Sequence, residues 1–299
     1  FVSCKKDREK FIVNDENVYT STIVGLVTDE NEDPISGAVV DYKGTTTSTD
    51  AYGFYKITNV QVGDIHNFLT VTKSGYFEGC RTFRTNKKGS IYTKTQLLAL
   101  QFDASFQSAS GGDFTSDGVA FSFPANAIVN ESSGAAYNGE VQVAVRHIDP
   151  IEGSSAFQMP GDLSEQGENG DIDLLRSYGM VAVEMRSPSG EKLQVKEGNT
   201  VTMTAEIPAE LQAEAPSDIP MWHFNQNSGL WEEEGMAIKQ GSKYVAEVSH
   251  FSYWNYDIKE ESIILSGRLV DENGDPISGA HILVSATDAS WGGHGNTNL

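Results

Sequence analysis

At 299 residues the chain exceeds what one typical domain holds, so two or three domains, each burying its own core, are expected. A formal net charge of −21 at pH 7 repels phosphate backbones and anionic membrane surfaces alike, which argues against a nucleic-acid partner. No apolar run is long enough to cross a bilayer as a helix, and no heptad pattern is sustained.

The first residues read FVSCKKDREK. Their apolar-small-Cys triplet is similar to the end of a bacterial lipoprotein signal peptide, and CKKDRE with the polar NDEN after it resembles the tether of surface-exposed Bacteroidetes lipoproteins. The resemblance implies lipid on Cys4, membrane contact through that lipid, and a place at the outer-membrane surface; the alternative is an ordinary N-terminus with an incidental cysteine. With Cys4 acylated, Cys80 has no disulfide partner, so stability must come from packed sheets. Residues 1–21 are read as this tether.

Ile23, Gly25 and Val27 lead into DENEDPISGA at 29–38, after which Ala38, Val39 and Val40 resume an apolar stretch: strand, polar turn, strand. Pro34 fixes φ and withholds an N–H, and Gly37 reaches backbone angles closed to other residues, so together they turn the chain. The decamer returns as DENGDPISGA at 271–280. Asp29, Asn31 and Asp33, like Asp271, Asn273 and Asp275, set oxygens at alternate positions as a calcium loop does. Pro34 or Pro276 stands where an EF-hand needs glycine, however, and Val40 or Ile282 where it needs glutamate. A solvated turn is the expected reading, with calcium the one cofactor left open.

Gly25, Asp29, Pro34, Gly37, Ala38, Thr49, Gly53 and Phe54, with SGY at 74–76, resemble the carboxypeptidase regulatory-like domain. That resemblance implies a seven-stranded sandwich of transthyretin-like topology over 22–101, in a structural or adhesive role. Gly267, Asp271, Pro276, Gly279 and Ala280 open a second such module over 259–299, which stops before most of its strands. Peptidase chemistry is not expected: none of the six histidines begins H-x-x-E, and neither H-E-x-x-H nor G-x-S-x-G occurs.

Between them lie residues 102–258. GEVQVAVRHID sets Val141, Val143 and Val145 against Glu140, Gln142 and Arg146, and NTVTMTAEIP sets Val201, Met203, Ala205 and Ile207 against Thr202, Thr204 and Glu206. One buried and one wet face per strand predicts a larger antiparallel sandwich, so the fold class is all-β, with β-sandwiches in tandem. PAELQAEAP at 208–216 is the stretch with two turns of helix in prospect. GGDFTSDGVAFSFPANAIV at 111–129 resembles the opening of the sandwich in zonula occludens proteins, netrin receptors and ankyrins. YGMVAVEMRSPSGEKLQV, IPMWHFNQNSGLWEEEG and YVAEVSHFSYWNYD are similar to a region of cartilage intermediate layer proteins and of many Bacteroidetes lipoproteins.

Three places hold candidate chemistry. His250, Phe251 and Ser252 match a triplet that cleaves its own backbone in some relatives of the netrin-receptor sandwich, the serine attacking the preceding carbonyl with the histidine as base. On an extended strand His250 and Ser252 share a face; the alternative is a closing strand with Phe251 and Tyr253 on one face and Trp254 on the other. Trp222 and Trp231 flank the turn sequence NQNSG and are expected to face each other across a hairpin, either sealing a core or stacking on sugar rings. In the long connection 149–173, Asp162, Glu165, Glu168, Asp171 and Asp173 either gather a divalent cation or remain a wet loop. The expected function is a non-catalytic surface lipoprotein, an adhesive scaffold contacting a protein or glycan. Self-cleavage between Phe251 and Ser252, or accessory glycan binding at Trp222 or Trp231, is the alternative.

Overall fold

The computed structural model describes residues 17–85, 89–166, 172–260, 269–285 and 292–296, and Cys4 and Gly267 lie outside them. The described chain is nearly all β, in sheets that form sandwiches. The first seven strands are β1 (Val18–Thr28), β2 (Val39–Tyr42), β3 (Thr45–Ser48), β4 (Phe54–Gly63), β5 (Asn67–Thr72), β6 (Gly79–Phe83) and β7 (Ser90–Gln96). They make two sheets, ordered β4-β1-β7 and β3-β2-β5-β6. Period-2 alternation sends Tyr55 and Ile57 of β4, Leu69 and Val71 of β5, and Ile23 and Val27 of β1 into one shared core. One pairing departs from the antiparallel pattern: β1 runs parallel to β7, from Thr22 opposite Ser90 to Thr28 opposite Gln96.

The two decamers fold alike. Asp29 accepts hydrogen bonds through Oδ1 from the backbone N–H of Asn31 (2.8 Å) and Asp33 (2.9 Å), and Asp271 does the same for Asn273 and Asp275, both at 2.9 Å. The following Ile35 and Ile277 donate back to Val27 and Leu269, each at 3.0 Å, and Gly37 sits at φ +66°. The carboxylate at the head of each decamer thus binds its own turn, the Asx-turn arrangement.

Thirteen strands form one continuous sheet that folds around a second core. They are β8 (Phe102–Gln107), β9 (Gly112–Ser116), β10 (Val119–Phe123), β11 (Ile128–Asn130), β12 (Glu140–Ile148), β13 (Ser164–Gln166), β14 (Ile172–Arg186), β15 (Lys192–Val195), β16 (Val201–Glu206), β17 (Asp218–Asn225), β18 (Leu230–Gln240), β19 (Lys243–Val248) and β20 (Tyr253–Glu260). Val141, Val143 and Val145 of β12 and Val201, Met203 and Ala205 of β16 point into that core, as their alternation predicts. Beyond it, β21 (His281–Ser285) and β22 (Gly292–Asn296) pair as a hairpin.

Two local expectations fail. Residues 208–216 form turns rather than a helix, and the helix α1 (Ser155–Gln158) stands instead inside the long connection 149–173. Pro208 and Pro216 bracket a segment of Glu and Ala with a single apolar anchor, Leu211, whose carbonyl accepts from Ala215 at 2.9 Å; one turn is all it sustains. Nor does β12 have a wet face: Ala144 and Ile148 on its second side are also buried.

The reason is a third core between the two sandwiches. Phe77, Cys80 and Leu98 from the first pack with Ala144, Ile148, Met180, Trp222, Phe224, Trp231 and Tyr253 from the second. Polar bonds cross the same seam. Arg81 of β6 donates to the carbonyls of Ala156 (2.8 Å), Gly161 (2.9 Å) and Phe157 (2.7 Å), while Gly161 N–H donates to Cys80 (2.9 Å). Tyr253 Oη donates to the Glu78 carbonyl at 3.1 Å, and a His66–Ser228 hydrogen bond of 2.8 Å ties the β17–β18 turn to the first sandwich. The two sandwiches thus share an apolar seam crossed by hydrogen bonds.

Candidate functional site

The seam explains the tryptophans. Trp222 and Trp231 are 1% and 0% exposed, so neither offers a ring face to a sugar, and the glycan-stacking reading is corrected. They do not oppose each other either: the register pairs Trp231 with Phe224, rings 5.3 Å apart, and Trp222 with Glu233. Each indole N–H is spent on backbone, Trp222 on the Asp257 carbonyl (3.0 Å) and Trp231 on that of Asp162 (2.7 Å).

The His-Phe-Ser triplet lies in a bend before β20, not on a strand, so alternation does not bring His250 and Ser252 to one face. Ser252 Oγ donates to the Tyr253 carbonyl at 3.3 Å. Gln194 clamps Phe251 on both sides, accepting from its N–H (2.7 Å) and donating to its carbonyl (2.9 Å). His250 turns to Glu234, with Nε2 and Oε2 3.5 Å apart. Phe251 and Trp254 share the larger core and Tyr253 joins the seam, which also corrects the sidedness expected of a closing strand.

In the 149–173 connection, Asp162 supplies its carbonyl to Trp231, and Glu165 is 1% exposed with Lys259 Nζ at 2.9 Å. Glu168 and Asp171, and the side chain of Asp173, lie outside the described residues. Among the described residues, no group of three or more His, Cys, Asp or Glu brings together Asp162, Glu165 or the acidic groups of the decamers.

The residues the fold does bring together are ones the sequence reading passed over. His223 on β17 pairs with Glu232 on β18 and with Trp254 on β20, so alternation puts Glu232 on the His223 face. A register shift follows: Trp222 opposes Glu233 and Pro220 opposes Met236, so Glu234 and Gly235 together stand against Met221 alone, the two-against-one of a β-bulge, with Gly235 at φ +86°. His250 reaches in from the bend. One ligand atom from each of His223, Glu234 and His250 lies within 4.8 Å of the others. The His223 and His250 rings meet edge to face, centroids 4.7 Å apart. The His250 imidazole, helped by the Ser249 hydroxyl and His223, pulls the Glu234 carboxyl down to about 2, against the opposing effect of burial. The only hint in the sequence was a histidine followed across a hairpin turn by glutamates at alternate positions.

On the other side of the seam the sandwiches part to leave an open cleft of about 450 Å³. Lys73 and Tyr76 line it from the first sandwich, with Arg186 and Lys192 from the second, around Glu78 and Glu184. Burial pushes the Glu78 carboxyl up, with Lys192 opposing and Glu184 adding to the rise. The lining is mixed in charge, with Arg186 paired to Glu184 and Lys73 donating to the Ser36 carbonyl.

No protein-family model matches the chain. Human cartilage intermediate layer protein 2 is 32% identical over 136 residues, 44% of this chain and 12% of that protein. Mouse cartilage intermediate layer protein 1 is 26% identical over 242 residues, 76% of this chain and 19% of that protein. The chain thus spans less than a fifth of the length of these two relatives. Among solved structures, a streptococcal ancillary pilin aligns with 95% of this chain and 59% of its own at 8% identity and a TM-score of 0.22. A DUF3823 family protein from Parabacteroides merdae aligns with 79% of this chain and 99% of its own at 6% identity and a TM-score of 0.20.

Proposed function

We propose that the protein is a non-catalytic scaffold of the cell surface, held to the outer membrane by lipid on Cys4 and contacting a protein or glycan through the cleft between its sandwiches. The observation that carries the contact is the cleft itself, where charged groups from both sandwiches face one opening. A preformed site binds with little ordering cost, as a scaffold requires. The lipid rests on the FVSC sequence, and the scaffold reading on the likeness to cartilage intermediate layer proteins and on the β-sandwich architecture. Mass spectrometry of the protein from its native membrane tests the anchor: a diacylglyceryl mass on Cys4 is expected, and an unmodified Cys4 overturns it. For the contact, a glycan array and an extracellular-protein array probed with the wild type and with R186A are expected to share a ligand whose signal drops in the variant. Equal signals from both proteins would move the contact off the cleft.

A further inference from the structure

We infer that His223, Glu234 and His250 form a binding site for a zinc-like divalent transition-metal ion. This is independent of the scaffold reading, since the cluster belongs wholly to the second sandwich.

The separations carry the argument. Glu234 Oε2 lies 3.6 Å from His223 Nε2 and 3.5 Å from His250 Nε2, and Glu232 Oε2 lies 3.6 Å from His223 Nε2. A good N–H···O hydrogen bond is closer to ~2.9 Å. Four ligands around zinc at ~2.0 to 2.1 Å stand roughly 3.4 Å from one another in a tetrahedron. Both Glu234–imidazole separations are those of ligand edges, and one ligand atom from each of the three residues lies within 4.8 Å of the others.

The surroundings fix which atoms are presented. Glu234 accepts from the Ser249 hydroxyl through Oε1, and Glu232 accepts from Asn225 Nδ2 through Oε1. Each glutamate therefore has one oxygen pinned by a neighbour and turns the other, Oε2, toward the imidazoles, the outer-shell arrangement that orients metal ligands. His223 is held between Trp254 and the His250 ring, and Glu234, two residues beyond Glu232 on the same strand, follows it on the face that His223 shares.

The donor set selects the ion. Two imidazoles with a carboxylate suit zinc, copper, nickel or iron, whereas calcium and magnesium prefer all-oxygen sites. The His250 and Glu234 side chains keep 29% and 34% of their exposure, so the ion has an entry path. Glu232 or a water completes the fourth position. With an ion in place, the bend carrying His-Phe-Ser is tied to the β17–β18 hairpin and the His250 imidazole is committed to the metal.

The test uses the full chain stripped with chelator. Calorimetric titration with zinc chloride is expected to show a single ion per chain, with affinity falling roughly 100-fold or more in H250A and in E234Q, and no response to calcium chloride. Cobalt(II) in the same protein is expected to give the strong visible band of tetrahedral coordination. Equal zinc affinity in the wild type and both variants overturns the site, as does binding lost only in H281A or H294A. If H250A or E234Q fails to fold, S249A decides. An affinity about 10-fold weaker supports the site, because only the outer shell is touched, and an unchanged one counts against it.

Discussion

Arg81 and Gly161, one on a strand of the first sandwich and the other on a loop of the second, are joined by a 2.9 Å hydrogen bond from guanidinium to carbonyl. Two further carbonyls, of Ala156 and Phe157, share the same fork. R81M keeps the apolar stem but takes the donor from three carbonyls, that of Gly161 buried and those of Ala156 and Phe157 partly so, each loss costing on the order of 1 kcal/mol. A loss of about 3 kcal/mol is expected in urea denaturation, with one transition expected for the wild type and two for R81M. One unchanged transition would show that the apolar seam alone couples the sandwiches.

The two decamers differ at one position, Glu32 against Gly274, and both residues sit in the left-handed region, at φ +67° and +86°. A side chain there costs roughly 1 kcal/mol relative to glycine. Glu32 recovers little of this, since its 3.0 Å ion pair with Lys94 is exposed on the glutamate side. E32G is therefore expected to stabilise the first sandwich by about 0.5 to 1 kcal/mol, read as a higher melting temperature. A lower one would mean the ion pair outweighs the strain.

Asp257 is fully buried, and that burial pushes its carboxyl well above the ordinary value of 3.8, opposed in part by the Ser177 hydroxyl. Asn255 Nδ2 donates to its Oδ2. A group that holds its proton more tightly when folded stabilises the fold fully below its unfolded value and loses that contribution as pH rises toward its folded value. The stability difference between the wild type and D257N should therefore favour the wild type more as pH falls from neutrality toward about 4. A difference that stays flat across that range would show that Asp257 is ionised in the fold.

Trp231 gives up an indole hydrogen bond to Asp162 if replaced by phenylalanine. W231F should cost about 2 kcal/mol, part from the lost volume and part from a carbonyl left unpaired. Because the ring is buried, any glycan binding should persist in W231F at a temperature where the variant remains folded. Loss of binding without loss of stability would return the ring to a recognition role.

Strand content and turn chemistry were legible because they are local. The Asp-Asn-Asp spacing of each decamer, Pro34 with Gly37, and the alternation of β16 act over a few residues and fold as read. What could not be read depends on pairing across the chain. Trp222 and Trp231 do not oppose each other because the turn pairs Asn225 with Leu230, which sets Phe224 rather than Trp222 across from Trp231. The seam was hidden because Ala144, Cys80 and Arg81 look like ordinary strand residues until two sandwiches meet over them. The His223, Glu234 and His250 cluster follows no contiguous motif, since three separate segments supply it.

The parallel pairing of β1 with β7 also decides how the first sandwich bears tension. Drawn apart at the start of one and the end of the other, these strands slide in shear, and every rung between Thr22 and Thr28 carries load at once. Val18 and Gly63, opposite each other on antiparallel neighbours, would instead peel rung by rung. Single-molecule pulling between residues 18 and 96 is expected to need a higher rupture force than pulling between 18 and 63.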